Sequence, residues 1–424
     1  MYFVVSRVLM LMISTHFYPL NGEDVCFRED VNNCENSFNG PRYLFYDVNQ
    51  SEGFNLRRDV YMRLAIFMHR FSGKNWKLVL PPWPHLYHWK TTLINQDQLP
   101  WNRFFDLNSL KQFSPVIEMY EFFKENGAHL LTIDNVFVLQ HYKDAFIQKN
   151  WNWNDKWSFE SCNKDHDYEK SGNLIRSWFW GYSNISAKNM RCVSFQGGAS
   201  LLIELLESTN DRFVMLDNAE VVLHDHFGNN EYWQCRQSMK FAEPLVQEAK
   251  RFMISVLNHS SVEENDIKNE KKGKRNAKGG SYLGVHLRRR DFIEGRPNEI
   301  PTLEYAAEQI SDILLSQNLK IVFIATDAKY EEVLELKSLI QNYSLVQYSP
   351  DTNIVFKFKD GGIAIIDQII CSNARYFIGS YESTFSFRIQ EEREILGFPE
   401  HTTFNRLCGA KKDCVQPSKW KIQY

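Results

Sequence analysis

The sequence carries little excess charge of either sign and has no long apolar run beyond its first residues. Its 49 basic and 52 acidic residues give a formal net charge of −3, unlike the strongly basic proteins that bind nucleic acid or an anionic membrane. After the N-terminal segment no stretch approaches the roughly 18 apolar residues of a membrane span. Any electropositive site must therefore be local, and we expect neither nucleic acid nor a further membrane span.

Several chemical signatures are also missing. The chain has no Cys-x-x-Cys pair for zinc and no glycine-rich P-loop with lysine, which argues against a sulfotransferase. Two short patterns resemble metal-binding motifs, Asp165-His-Asp167 and His224-Asp-His226. The first lies in a polar loop bounded by cysteines, and the second has no third ligand at a sensible spacing. A structural role is the better interpretation of the second.

The composition predicts a large globular protein. A chain of 424 residues that is 43% hydrophobic can bury a large core, and its length favours two domains over one. The apolar stretch Val8 to Ile13 follows Arg7 and resembles a secretory signal peptide, which we place at residues 1–22. The alternative to a signal peptide is a buried N-terminal strand. If the signal peptide is cleaved, we expect a soluble lumenal or secreted protein.

Cysteines and glycosylation sequons agree with a secretory compartment. Eight cysteines are present, and their spacing favours three disulfides with short or moderate loops: Cys26 with Cys34, Cys162 with Cys192, and Cys408 with Cys414. Cys235 and Cys371 then have no assigned partner. Three sequons are candidates for N-glycosylation: Asn184, Asn258 and Asn342. We expect folding to bury a fourth, Asn49, and to leave it unmodified.

The N-terminal half begins with a strand, a helix and a second strand. Tyr43 to Val48 reads as a strand, apolar residues then recur at helical spacing, and Lys77 to Leu80 reads as the next strand. The loop Asn49 to Asn55 therefore lies at a strand's carboxyl end and a helix's amino end. Glu52 lies within this loop, and its position alone favours a charge that interacts well with the helix dipole.

The middle of the chain is predicted to be rich in loops and aromatic residues. Ten of the eleven tryptophans precede residue 236. Segments such as Pro81 to Trp89 and Trp151 to Trp157 could line a groove for a large partner, and core packing explains them equally well. A further polar segment at about 263–280 is rich in Lys, Glu, Asn and Gly, which predicts an exposed mobile loop.

The C-terminal half predicts a doubly wound α/β sheet. The strand Tyr282 to Leu287 ends in His286, Arg288 and two more arginines, and cations at such a strand end suit a phosphate. Helices and strands then alternate. A helix over Ile363 to Cys371 carries Asp367, and a strand at Tyr376 to Ile378 opens into Ser383 and Thr384 at a helix start. Each feature also has a simpler interpretation. The arginines would form a solvated basic turn, Asp367 would lie on a polar helix face, and Ser383 and Thr384 would be N-caps.

Four motifs together resemble the GDP-fucose protein O-fucosyltransferases, most closely the type that modifies thrombospondin repeats. They are SEGFNLRRD at Ser51 to Asp59, HLRRRDF at His286 to Phe292, DGGIAIIDQ at Asp360 to Gln368 and STFSFRIQEER at Ser383 to Arg393. The resemblance spans roughly residues 40 to 420. It implies an α/β protein of the GT-B glycosyltransferase fold, with two Rossmann-like domains facing a cleft.

The resemblance also implies roles for individual residues. Glu52 would be the catalytic base, and Arg288 would hold the diphosphate of GDP-fucose beside His286. The remaining residues implied to bind GDP-fucose come from both halves of the chain: Ser51, Gly53, Phe54, Asn55, Leu287, Asp367, Ser383, Thr384 and Phe385. The implied reaction is an inverting transfer of fucose to a Ser or Thr hydroxyl that requires no metal and no cofactor.

The implied partners are GDP-fucose and folded thrombospondin type 1 repeats in the endoplasmic reticulum. We place an N-terminal acceptor-side domain at 23–245 and a C-terminal domain that binds GDP-fucose at 246–424. Alternatives are a different acceptor, such as an epidermal-growth-factor-like repeat or a glycan, and a lumenal binding protein or chaperone on the same scaffold. No KDEL-type retention signal ends the sequence.

Overall fold

The computed structural model describes residues 40–71, 75–127, 130–143, 154–163, 168–259, 275–409 and 414–424. The predicted signal peptide, the Cys26–Cys34 pair, most of the predicted mobile loop and Asp165 to Asp167 lie outside these residues. The described part of the chain, from Gly40 to Tyr424, forms one compact unit. No helix in these ranges is long and apolar enough to cross a membrane.

The fold is α/β and contains two sheets. The strands of the described residues are β1 Arg42–Tyr46, β2 Trp76–Leu80, β3 Val116–Glu118, β4 Leu131–Gln140, β5 Lys156–Phe159, β6 Glu169–Ser171, β7 Leu174–Arg176, β8 Ile185–Gln196, β9 Phe213–Asp217, β10 Gly280–Leu287, β11 Ile321–Thr326, β12 Ser344–Val346 and β13 Ala374–Ile378.

Eleven α-helices of the described residues pack around these strands. They are α1 Phe54–Arg70, α2 Leu107–Phe113, α3 Met119–Asn126, α4 Leu202–Glu207, α5 Asn230–Ser238, α6 Glu243–Val256, α7 Arg290–Gly295, α8 Leu303–Ser316, α9 Tyr330–Leu339, α10 Thr352–Ser372 and α11 Thr384–Ile395.

The N-terminal sheet has nine strands, eight of them in the order β3-β2-β1-β9-β4-β8-β7-β6, and β5 pairs with β8. Its central pairs are parallel, and strands β5, β6 and β7 pair antiparallel at one side. The prediction that the middle of the chain is loop-rich was wrong for β4 and β8, which have 10 and 12 residues. Their alternation is interrupted by polar residues such as Asp134 and Asn189, which hid the strand pattern.

The C-terminal sheet is parallel throughout, in the order β12-β11-β10-β13. Its strands are the ones predicted, with ends shifted by a few residues. Because β10 lies between β11 and β13, the residues that follow these three strands meet at one edge of the sheet. The α/β class and the doubly wound C-terminal half are therefore confirmed.

Helix α10 starts earlier than predicted and contacts the N-terminal half. It begins at Thr352, and Lys359 interrupts it with non-helical backbone angles (φ 63°, ψ 170°). Immediately afterwards Asp360 accepts hydrogen bonds from the Thr91 backbone N–H (2.9 Å) and the Gln96 amide (3.1 Å). A Cβ at Gly361 would lie 2.7 Å from the Trp89 ring. The close approach of α10 to this segment therefore requires glycine.

Two disulfides are present in the described residues, Cys162–Cys192 and Cys408–Cys414. These are the pairings that the cysteine spacing favours. Cys235 and Cys371 are free and buried. The first bond ties β8 to the loop that follows β5, so it crosses the side of the N-terminal sheet where antiparallel strands are added.

Candidate active site

Arg288 follows β10 at the carboxyl edge of the C-terminal sheet. Its guanidinium donates to the carboxylates of Asp327 and Asp291, and its backbone N–H donates to Ser380 Oγ (2.8 Å). Asp327 also accepts from the Arg289 backbone N–H (2.7 Å). The arginine is therefore fixed at the end of three neighbouring strands, with two charge-assisted partners that a bound diphosphate could replace.

His286 lies on β10, two residues before Arg288, and is buried. Desolvation, with a smaller contribution from the Arg288 charge, lowers its pKa to about 3, so the ring is neutral at physiological pH. Ser386 Oγ lies 2.8 Å from Nδ1 and accepts the Ser380 backbone N–H (3.0 Å). Because the Ser386 oxygen already accepts from Ser380, the Ser386 hydroxyl can donate its own proton to Nδ1. An Nδ1 that accepts a hydrogen bond carries no proton, so the ring proton lies on Nε2.

Residues 383–385 form the start of α11, close to His286. Ser383 is buried and precedes the helix, and Thr384, its first residue, is exposed. The Phe385 ring stacks on the His286 ring, with centroids 4.4 Å apart. The first backbone N–H groups of a helix are unpaired and attract anions. Leu287, in contrast, places its side chain in the core, so only its backbone is available to a ligand.

Asp367 lies on α10 among isoleucines. Its Oδ1 is buried and has no hydrogen-bond partner among the described residues, and burial raises the pKa of this carboxyl well above its usual value. A buried carboxylate oxygen without a donor is costly. A ligand that supplies N–H groups, such as a guanine base, would satisfy it.

Gln368, next to Asp367, links α10 to α1. Its amide donates to Asn55 Oδ1 (2.9 Å), and Arg58 Nη1 donates both to Gln368 Oε1 (2.9 Å) and to Asn55 Oδ1 (3.2 Å). Arg58 is fully buried and its guanidinium lies 5.3 Å from the centroid of the Phe105 ring. These contacts bring the first turn of α1 against the helix that carries Asp367.

The Glu52 loop lies between β1 and α1, as predicted. The loop backbone is held firmly: the Glu52 N–H donates to the Asn49 carbonyl (3.0 Å), and Arg57 Nε donates to the Glu52 carbonyl (3.1 Å). The Glu52 carboxylate accepts no hydrogen bond from the described residues. Ser51 donates instead to Asn49 Oδ1 (2.8 Å).

Phe54 belongs to the core. It is 5% exposed, and its ring lies 4.6 Å from that of Trp83 and 5.5 Å from that of Phe104, between centroids. Any contact of Phe54 with a substrate is therefore restricted to its backbone. Its burial fixes the start of α1 and, with it, the position of the Glu52 loop.

Tyr87 and His88 lie near both the Glu52 loop and Arg288. A Cβ at Gly53 would lie 3.1 Å from the His88 ring and 3.9 Å from the Tyr87 ring, so both rings lie against the Glu52 loop. Desolvation raises the pKa of Tyr87, Asp291 and Glu52 raise it further, and Arg288 opposes them. Desolvation and Arg288 lower the pKa of His88 to about 4. The sequence identified this segment only as aromatic, because nothing local reports its contact with Gly53.

The expectation that Asn49 is buried was wrong. Asn49 is exposed, because its hydrogen bonds hold it at the surface turn: its N–H donates to Glu220 (3.2 Å), its carbonyl accepts from Arg57 (2.9 Å) and its Oδ1 accepts from Ser51. Asn258 and Asn342 are exposed, and Asn184 is partly buried.

His224 lies 3.2 Å from Asp59, and no three metal-ligand side chains of the described ranges converge on one point.

Comparison with known sequences identifies the family of this α/β protein. A sequence model of the GDP-fucose protein O-fucosyltransferase family matches residues 43–396. The chain therefore belongs to this family of fucosyltransferases.

Individual relatives are similar over nearly the whole chain. The human protein named GDP-fucose protein O-fucosyltransferase 2 is 46% identical over 392 residues, 90% of each chain. The protein of that name from Caenorhabditis elegans is 41% identical over 433 residues, covering 96% of this chain and all of the relative. A crystal structure of POFUT1 in complex with GDP-fucose shares the fold (TM-score 0.54, 16% identity, 88% and 98% of the two chains). The GT-B fold is thus confirmed.

Proposed function

We propose that this enzyme transfers fucose from GDP-fucose to a serine or threonine hydroxyl of a folded thrombospondin type 1 repeat in the lumen of the endoplasmic reticulum. The donor agrees with the family, and the acceptor is the one implied by the four sequence motifs. The observation that carries the proposal is that Tyr87 and His88 lie against Gly53, next to Glu52, and also lie within range of the Arg288 charge, so the Glu52 loop and Arg288 are close together.

In the proposed reaction the acceptor oxygen attacks C1 of fucose and inverts it. The new C1–O bond forms as the bond from C1 to the phosphate oxygen breaks, Glu52 takes the hydroxyl proton, and GDP leaves. A general base contributes roughly 10²- to 10⁴-fold to such a step. Glu52 suits that role because no described side chain competes for its carboxylate.

Arg288 would stabilise the negative charge that develops on the leaving diphosphate. A guanidinium offers two parallel donors to phosphate oxygens and carries its charge at all physiological pH values. It would thereby supply the stabilisation that a divalent ion gives in other glycosyltransferases, which is the basis for proposing a reaction that needs no metal. His286 Nε2 and the start of α11 would add donors to the same phosphates.

Asp367 would select the base of the nucleotide. Guanine presents two adjacent donors, N1–H and the exocyclic amine, whereas adenine and the pyrimidines present different patterns. Oδ1 of Asp367 is a buried acceptor to which no group of the described residues donates a hydrogen bond. Asn55 and Gly53, held by Gln368 and His88, would place the fucose between α10 and the Glu52 loop.

The test is a transfer assay with GDP-fucose and a folded thrombospondin repeat in excess chelator, using wild type, Glu52→Ala and Arg288→Ala. We expect wild-type transfer and its loss in both variants. NMR of the product should show α-linked fucose, because inversion of the β-linked donor gives that anomer. Failure of the wild type with chelator, rescued by Mn²⁺ or Mg²⁺, would overturn metal independence. Transfer to an epidermal-growth-factor-like repeat alone would overturn the acceptor.

A further inference from the structure

Tyr87 is an exposed aromatic residue on an otherwise well-anchored segment. It is 48% exposed, and its hydroxyl makes no hydrogen bond within the described part of the chain. Its neighbour Trp89 is buried, with its backbone N–H bonded to the Leu86 carbonyl (2.9 Å). Core packing therefore explains Trp89 but leaves the exposed Tyr87 ring without a structural role.

The Tyr87 ring is held in a fixed place. Its centroid lies 3.6 Å from that of His88, and His88 in turn lies against Gly53. The chain that follows His88 is anchored as well, since the Thr91 backbone N–H donates to Asp360 of α10 (2.9 Å). An aromatic ring ordered before binding loses little conformational entropy on binding, which is why tyrosine recurs at protein interfaces.

The position of this ring relates it to the reaction. Tyr87 lies within reach of the charges of Glu52, on the base side, and of Arg288 and Asp291, on the donor side. A folded acceptor that presents its hydroxyl to Glu52 must cover the surface around that carboxylate. An exposed, pre-ordered aromatic ring beside the base is the kind of residue that contributes most to such a contact.

We propose that Tyr87, supported by His88, binds the polypeptide of the folded acceptor repeat while its hydroxyl is presented to Glu52. This inference rests on the proposed function and deepens it, because it assigns acceptor recognition to a residue separate from the donor site. The ring provides apolar contact area, so its hydroxyl is dispensable and its aromatic face is not.

The experiment measures two reactions of Tyr87→Ala, Tyr87→Phe and wild type: fucose transfer to the folded repeat, and the slow hydrolysis of GDP-fucose by water. Trp178→Ala is the matched control, because Trp178 is 61% exposed and its ring lies against Gly181, whereas Tyr87 lies against Gly53 of the Glu52 loop. We expect Tyr87→Ala to raise the KM for the repeat about tenfold or more. The rate of hydrolysis by Tyr87→Ala and its KM for GDP-fucose should remain near the wild-type values. Tyr87→Phe and Trp178→Ala should resemble wild type in both reactions.

The outcomes separate the inference from the function on which it rests. An unchanged KM for the repeat in Tyr87→Ala overturns the inference alone, since wild type still transfers. Impaired hydrolysis or a raised KM for GDP-fucose in Tyr87→Ala also overturns it, because the residue then serves the donor. If wild type hydrolyses GDP-fucose and modifies no repeat, the proposed acceptor fails and the inference falls with it.

Discussion

The loops after β1 and β10 occupy equivalent places at the carboxyl ends of parallel strands, yet they hold their charges differently. The Glu52 carboxylate accepts no hydrogen bond from the described residues, although its backbone is anchored on both sides. The Arg288 guanidinium is bound by two carboxylates, one of them, Asp291, on a side chain that is 54% exposed. A base must be free to take a proton, whereas an unpaired arginine beside the buried His286 would be unfavourable.

This difference indicates how each loop would act. In the proposed reaction Glu52 would act in the geometry that it already has, whereas Arg288 would exchange at least one carboxylate for phosphate when the donor binds. Asp291 is exposed, so its carboxylate can exchange Arg288 for water at little cost in free energy. Asp327, which also binds the Arg289 backbone, is the partner that keeps the arginine oriented. The predictions below test this division.

The largest effect is expected at Glu52. Glu52→Gln keeps the shape of the side chain and removes the base, so transfer should fall by roughly 10²- to 10⁴-fold, while the affinity for GDP by isothermal titration calorimetry stays the same. Glu335→Gln, on the exposed face of α9, is the control. A large loss of GDP affinity in Glu52→Gln would place this residue in the donor site and remove the contrast between the loops.

Asp327→Asn should have the next largest effect. Asparagine keeps the size of the side chain and loses the ion pair with Arg288, so we expect the affinity for GDP to fall about tenfold, as is common when a charge-assisted contact is lost. Asp291→Asn should change it less. The opposite order of the two variants would show that Asp291, and not Asp327, orients the arginine.

Asp367 should release protons when nucleotide binds. Its pKa is raised by burial in the free protein, and guanine donors would stabilise the ionised form and lower that pKa. Calorimetric titration of GDP at one pH in buffers of different ionisation enthalpy should reveal up to about one proton released. Asp367→Asn should abolish the release. Equal proton release by Asp367→Asn would assign the proton to another group.

The smallest effect concerns stability below neutral pH. Because the folded-state pKa of His286 is about 3 and the unfolded value about 6.5, the unfolded chain takes up a proton in this window and the folded chain does not. Stability is therefore present above pH 6.5 and lost as the pH falls towards 3, by about 1.5 kcal/mol between pH 6.5 and 5. Urea unfolding of His286→Gln should show a correspondingly weaker pH dependence than wild type.

The parts of the site that a sequence can predict are those set by local pattern. Glu52, Arg288 and Ser383 each follow an apolar strand, so their placement at sheet edges was predicted from alternation and turn residues. Asp367 was found because an acid among isoleucines on one helix is unusual. The apolar periodicity of the C-terminal half likewise gave its strands and the helices α8 and α9 to within a few residues, whereas α10 starts earlier than predicted and the short helix α7 was not predicted.

The contacts that join the two halves were not predictable in this way. Nothing near Gly53 in the sequence reports His88, and nothing near Asn55 reports Gln368, more than 300 positions away. The role of Arg58 was hidden for the same reason, since its partners come from two separated helices. Strands β4 and β8 were missed because polar residues interrupt them where they bond to neighbouring loops, as Asp134 does with the N–H of Arg212, just before β9 (3.1 Å).

The packing of Gly361 against Trp89 has a consequence for binding kinetics. A helix that meets another segment where even one methyl group would clash leaves little room for α10 to slide towards or away from the Glu52 loop. We therefore expect the spacing between Asp367 and the Glu52 loop to change little when the nucleotide binds. Donor association should be a single, concentration-dependent step without a slow phase, since no sparsely populated closed form has to be selected first.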